Sequence, residues 1–151
     1  RREEAMTQAT ANLRSPRMIN LYDNNNTLRL TISLESLYYL ESEDNYIKVH
    51  YKHNDKMAQY MLRCRTKSVE EALRDTVMKR CHRSYIVNIS KIRFINEEHR
   101  LHFIALDDDS IRPIPLSKTY YDSVLTSLNT IQKGGDHQAT IANEEMATTT
   151  S

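Results

Sequence analysis

The first glycine in this chain is Gly134 and the only other is Gly135, in a sequence of 151 residues. Glycine is what lets backbone amides close around a phosphate. Nothing before residue 134 can therefore be a Walker A loop, a GxGxxG dinucleotide turn or a GxSxG nucleophile elbow. Apolar side chains make up 39% of the residues, which fills one ordinary core and would hardly fill a second, so one domain with tails is expected. The two cysteines, Cys64 and Cys81, lack CxxC spacing. They support neither a disulfide framework nor a zinc ribbon, and suit a reducing, cytoplasmic setting; no cofactor or metal is expected. Apolar runs are a few residues long, so no membrane span, secretory signal or membrane contact is expected of this segment. Because the chain starts at Arg1 rather than Met, it reads as cut from something longer.

Hydrophobic periodicity points to many short strands. Residues 1 to 27 read as linker and lead-in: Arg1 to Arg14 is polar and helix-compatible, Ser15-Pro16 interrupts it, and Asp23-Asn24-Asn25-Asn26 is turn material. Leu28 to Ile32, Leu37 to Leu40 and Tyr46 to Lys52 read as strands, with Glu41 to Asn45 as a polar turn. In the third strand Ile47, Val49 and Tyr51 face one way and Lys48, His50 and Lys52 the other, which predicts a basic outer face. Met57 to Arg63 is its expected partner across the 53–56 turn. The period then lengthens: Ser68-x-x-Glu71 reads as a capping box, with Val69, Ala72, Leu73 and Val77 at helical spacing. Cys81 to Ile95 is apolar but ambiguous between strand and helical turn. Arg93 to Asn96 and Arg100 to Leu106 read as a hairpin joined at residues 97–99, and Ser110 to Ile114 as a return strand that Pro113 and Pro115 confine to an edge. Ser117 is the expected cap of a last helix with the stripe Tyr121, Val124, Leu125, Leu128, Ile131. The domain is expected over 28–131, with 132–151 a disordered tail.

Charge is nearly balanced overall, 21 basic against 20 acidic residues, but it is segregated. Between Arg63 and Arg93 nine Lys or Arg face three acids. By itself this fits a solvated face as well as a nucleic-acid surface. His82, Arg83, Ser84 and Asn88 add a dense set of donors suited to phosphates and base edges, tied into the core by Tyr85, Ile86, Val87 and Ile89. A catalytic pairing of adjacent Cys81 and His82 is disfavoured, because sequence neighbours rarely let an imidazole reach the thiol. Asp107-Asp108-Asp109 lacks the ligand series of a calcium loop and reads as a solvated turn.

The ordered segments resemble the LytTR DNA-binding domain. The resemblance rests on Leu37-Tyr38-Tyr39-Leu40-Glu41-Ser42-x-x-Asn45-Tyr46-Ile47-x-Val49, Arg65-Thr66-Lys67-Ser68-Val69-Glu70, Cys81-His82-Arg83-Ser84-Tyr85-Ile86-Val87-Asn88 with Ile92, and Ile114-Pro115-Leu116-Ser117-Lys118-x-Tyr120, in that order. It implies a mostly β, elongated fold of about ten short strands with one or two short helices, used by bacterial transcription regulators, including two-component response regulators, to bind promoter direct repeats. Loops rather than a recognition helix would enter the major groove. Carried over residue by residue, it implies base contacts from Asn45, Arg83 and Lys118, and backbone contacts from His82, Ser84 and Ser117, with Lys48, His50, Lys67 and Lys91 as further phosphate candidates. Tyr85, Val87, Ile92 and Tyr46 are expected in the core, while Asn88 could bond loop backbone or touch DNA. The implied partner is double-stranded DNA, two copies of the domain per site, with no enzymatic activity. A receiver domain commonly precedes such a domain, and Arg1 to Ser15 is too short for one, so another N-terminal region, such as membrane helices, is the alternative source of the signal. A protein-interaction or ligand-sensing β module, pairing through the 110–115 edge or the 57–63 strand, is the other reading.

Overall fold

A computed structural model describes residues 17–133. The expectations for Arg1 to Pro16 and for the tail from Gly134 onward lie outside the described residues. Ten strands form three antiparallel sheets among the described residues. Strands β1 (Met18–Tyr22) and β2 (Leu28–Ser33) make a hairpin. A five-stranded sheet has the order β5-β4-β3-β7-β6, from β3 (Leu37–Glu43), β4 (Tyr46–His53), β5 (Lys56–Arg63), β6 (Met78–His82) and β7 (Tyr85–Asn88). The third sheet runs β10-β9-β8, from β8 (Ile92–Glu98), β9 (Leu101–Leu106) and β10 (Ile114–Leu116). Helix α1 (Thr66–Ala72) joins β5 to β6, and α2 (Lys118–Lys133) follows β10. The mostly β expectation holds.

Alternation along the central strands splits their side chains between two cores, one on each face of the five-stranded sheet. Leu37, Leu40, Ile47, Val49 and Ile86 pack with Ile19, Leu21 and Ile32 of the β1–β2 hairpin and with Val69 and Leu73 of α1. Tyr38, Cys81 and Val87 pack instead with Ile104, Leu106, Ile114, Leu116 and Val124. The lead-in is thus more than linker: Ile19 and Leu21 are buried in the first core. The acids 107–109 are engaged by cations, as Arg93 reaches Asp107 at 3.2 Å and Asp109 at 3.0 Å, and Lys52 reaches Asp108 at 2.9 Å.

Without glycine, the tight turns fall to other residues. Positive φ occurs at Asn26, Asp44, Asn54, Asp55 and Asp75, where a short polar side chain lowers the cost of the left-handed region, and at His99 and Arg100 in the β8–β9 hairpin. That last turn is therefore two residues, one place later than the 97–99 expectation. The polar run 41–45 is likewise mostly strand. Glu41, Ser42 and Glu43 extend β3 because they pair with Lys48, Ile47 and Tyr46 of β4, and Glu41 also with Tyr85 of β7. Ion pairing of Lys48 with Glu43 at 3.0 Å satisfies the polar end. The return strand is Ile114–Leu116 rather than 110–114, an edge strand that accommodates both prolines' neighbourhood.

The capping box does not form. Helix α1 starts before Ser68, with Arg65 as N-cap and no side-chain cap bond, and the N–H groups of Ser68 and Val69 both turn to the Arg65 carbonyl. Val77 lies beyond the helix, past the turn at Asp75. In α2 the expected stripe is present, with Val124 and Leu128 fully packed.

Candidate nucleic-acid interface

Antiparallel pairing of β3 with both β4 and β7 puts two hairpin turns at one edge of the five-stranded sheet. The β3–β4 turn is Asp44-Asn45 and the β6–β7 turn is Arg83-Ser84. A backbone bond fastens them, the Ser42 N–H donating to the Ser84 carbonyl at 2.8 Å. A second bond brings in the start of α2: the Ser117 N–H donates to the Cys81 carbonyl at 2.9 Å, two residues before Arg83. Asn45, Arg83 and Lys118 are all exposed at this edge. Ser117 also accepts from the Tyr120 N–H through its carbonyl at 3.1 Å, which closes the first turn of α2.

His82 organises the 83–84 turn. Its Nδ1 accepts from the Ser84 N–H at 3.1 Å, and its ring meets Tyr85 edge-on at 5.7 Å. That bond leaves the ring proton on Nε2, free to be donated outward. Burial first, then the Arg83 and Arg80 charges, hold His82 below the usual histidine value of 6.5. His50 is shifted the same way, again by burial against the opposing pull of Glu41. A histidine whose folded value is lowered contributes stability that is complete above the unfolded value and lost as pH falls below it. Thermal unfolding is therefore expected to drop as pH goes from 7 to 5, about 2 units around that value, and His50→Gln with His82→Asn should flatten the drop in scans across this range. An unchanged slope in the double variant would contradict the assignment.

Arg80 was not singled out by the sequence, yet it holds the turn. One guanidinium nitrogen donates to the Arg83 carbonyl at 2.8 Å, another reaches Glu70 of α1 at 3.0 Å, and the group lies 5.8 Å from the Tyr120 ring of α2. It ties the turn to both helices at once. Arg80→Ala should loosen Arg83 and weaken duplex binding although Arg80 is only 22% exposed, while Arg80→Lys, which keeps one donor, should retain part of it; equal affinities of all three proteins by titration would contradict this. Arg63 is also at this edge, because its strand position pairs with Tyr46. Tyr46 was expected in the core and is instead 38% exposed, with the Arg63 guanidinium 5.9 Å from its ring. It precedes the buried Ile47 on an alternating strand, so it must face outward.

The remaining candidates divide. Ser84 is half-buried in its turn, and Lys67 is exposed one turn before Glu70 on α1. Lys48 lies on the sheet face, where Glu43 holds its charge and raises its pKa. His50 stacks on Tyr39 at 4.1 Å, well inside that face. Lys91 sits beyond the far end of β7, 5.0 Å over the Tyr38 ring. The predicted basic face is thus largely neutralised: Lys48, His50 and Lys52 each meet a carboxylate. Asn88 is resolved as structural, being fully buried and bonded to loop backbone. Cys81 is sealed in the core, its thiol pushed up to about 12 by burial and 3.8 Å from the Tyr85 carbonyl, so it is no nucleophile.

The sequence model of the family described as LytTr DNA-binding domain matches residues 28–129. The chain belongs to the LytTR DNA-binding domain family. Among solved structures, it is similar to the LytTr DNA-binding domain of a putative methyl-accepting/DNA response regulator from Bacillus cereus, with TM-score 0.54 and 21% identity over 76% of this chain and 98% of that one. At that identity the likeness bears on the fold, which is the LytTR fold. Comparison with curated proteins finds no match. A LytTR domain is a DNA-binding regulatory domain, so the edge carrying the two turns and the start of α2 is a candidate duplex surface. Among the described residues of this LytTR domain no helix is long and apolar enough to cross a membrane, and no group of three or more His, Cys, Asp or Glu is gathered for a metal.

Proposed function

We propose that this LytTR domain, over residues 28–131, is the sequence-specific, non-enzymatic DNA-binding module of a cytoplasmic bacterial transcription regulator, and that two copies occupy a promoter direct repeat. The observation that carries the reading is the pair of backbone bonds, Ser42 to Ser84 and Ser117 to Cys81, that fasten three exposed donor segments along one edge. Fixed directions are what base readout needs, because a bidentate contact discriminates only if the side chain arrives at a set angle. Arg83 can take the O6 and N7 of guanine, and Asn45 the N6 and N7 of adenine; Lys118 is a third base contact. The Nε2–H of His82, with Ser84, Ser117 and Lys67, would grip phosphates. Arg83, Lys118 and Arg63 supply positive charge, whereas Glu43 and Asp44 beside Asn45 limit bulk attraction, which favours register over indiscriminate affinity.

Fluorescence polarisation with a mixed duplex pool at two salt concentrations tests this. Affinity should fall steeply with salt, and Lys67→Ala should reduce the log–log slope by about 1. Absence of salt-dependent DNA affinity would favour a protein-interaction module, for which β5 offers an edge strand.

A further inference from the structure

A surface that meets a polyanion is expected to hide its acids, because an uncompensated carboxylate beside phosphates is repelled. Three acids lie toward the candidate duplex edge on β3 and its turn, and two of them are engaged. Glu41 accepts from the Tyr85 hydroxyl at 3.3 Å and faces His50, and Glu43 is paired with Lys48 at 3.0 Å. Asp44 differs: it is exposed and meets no Lys, Arg or His among the described residues.

Glu43 pairs with Tyr46, so Asp44 and Asn45 are the whole loop and both stand at its tip. A loop of two residues cannot send one of them into a groove and leave the other outside. Its base is braced, since the Ser42 N–H donates to the Ser84 carbonyl at 2.8 Å and the Arg63 guanidinium lies 5.9 Å from the Tyr46 ring. The Asp44 carboxylate therefore arrives at base edges together with Asn45, without a partner of its own. A carboxylate only accepts, so in the major groove the O6 and N7 of guanine and the O4 of thymine repel it, while the N4 amino group of cytosine donates to it. Adenine presents N6 beside the acceptor N7, a pair that an amide matches and a carboxylate does not. The two tip residues thus suit different bases. Consecutive Cα atoms are about 3.8 Å apart and successive base pairs about 3.4 Å along the duplex, so the two contacts fall on neighbouring pairs.

We propose that Asp44 is a further base-reading residue, selecting cytosine by accepting from its N4 amino group, next to the base pair read by Asn45. This rests on the duplex reading above. Random-pool selection followed by duplex titration, with the wild type, Asp44→Gly and Asp44→Asn, tests it. Glycine deletes the carboxylate and suits the φ of 55° found at this position, and thermal unfolding verifies that each variant folds. The wild type should prefer cytosine beside the position whose preference Asn45→Ala loses, and replacing that base pair should weaken binding about tenfold. Asp44→Gly should bind the two duplexes alike and keep the rest of the motif, while Asp44→Asn, whose amide both donates and accepts, should admit adenine at that position. A carboxylate that merely repels phosphate would, on removal, raise affinity for every duplex and leave the motif as it was. An enriched wild-type motif that returns unchanged with Asp44→Gly overturns the cytosine contact and leaves the duplex reading standing, whereas an unenriched wild-type pool overturns both.

Discussion

Asn88→Ala should lower the folding free energy of the domain by about 3 to 5 kcal/mol, the largest effect of any polar substitution considered. Asn88 is 0% exposed and uses its whole amide. Its Nδ2 donates to the Leu34 carbonyl at 3.2 Å and the Leu37 carbonyl at 2.7 Å, while Oδ1 accepts from the Ser90 N–H at 2.9 Å and the Ser90 hydroxyl at 2.6 Å. One side chain therefore joins the two 3₁₀ turns, Leu34–Ser36 and Ile89–Lys91, that flank β3 and β7. Alanine would leave the buried Leu37 carbonyl without this donor and release the Ser90 N–H and hydroxyl, while the Leu34 carbonyl would keep the Leu37 N–H. Asn88→Asp should be nearly as damaging, since a carboxylate cannot donate to either carbonyl. Urea unfolding measures both; a loss under about 1 kcal/mol would show that the network relaxes around the gap.

Arg83→Ala should cost about 1 to 3 kcal/mol in binding to a preferred duplex, roughly 5- to 150-fold, with little change in stability. The side chain is exposed, whereas the turn is held through its own carbonyls, which accept from the Arg80 guanidinium and the Ser42 N–H and which alanine keeps. Folding and binding effects thus separate at this residue, in contrast to Asn88 five positions on. Titration of the preferred duplex against the same duplex changed at single positions should show discrimination lost at one position only. A uniform loss across all duplexes would make Arg83 a phosphate contact.

What was legible in the sequence follows from how local the determining forces are. Alternation placed Ile47 and Val49 in the core and Lys48 and His50 opposite, because a strand face is set by its own side chains. The partners of those polar residues were not legible. Glu43, Glu41 and Asp108 neutralise the face only once β3 and the 107–110 turn are brought against it. The capping box failed for a related reason: Ser68 and Glu71 have the right spacing, but the chain leaving β5 at Arg63 must turn at once, and the helix begins from Arg65. At the candidate duplex surface, Asn45, Arg83 and Lys118 come from the family resemblance; the common edge of Asn45 and Arg83 follows from antiparallel pairing, and that of Lys118 from the Ser117 bond to Cys81. Arg80 was missed because its contacts are to a carbonyl, a carboxylate and a ring on three separate elements, which no spacing rule connects.

Selection of bound sequences from a random duplex pool, carried out in parallel with the wild-type chain, Asn45→Ala and Arg83→Ala, tests the duplex surface most directly. A repeated motif is expected for the wild type, with base preference lost at one position in one variant and at a different position in the other. An unenriched wild-type pool, or the same motif returned by all three proteins, would contradict it.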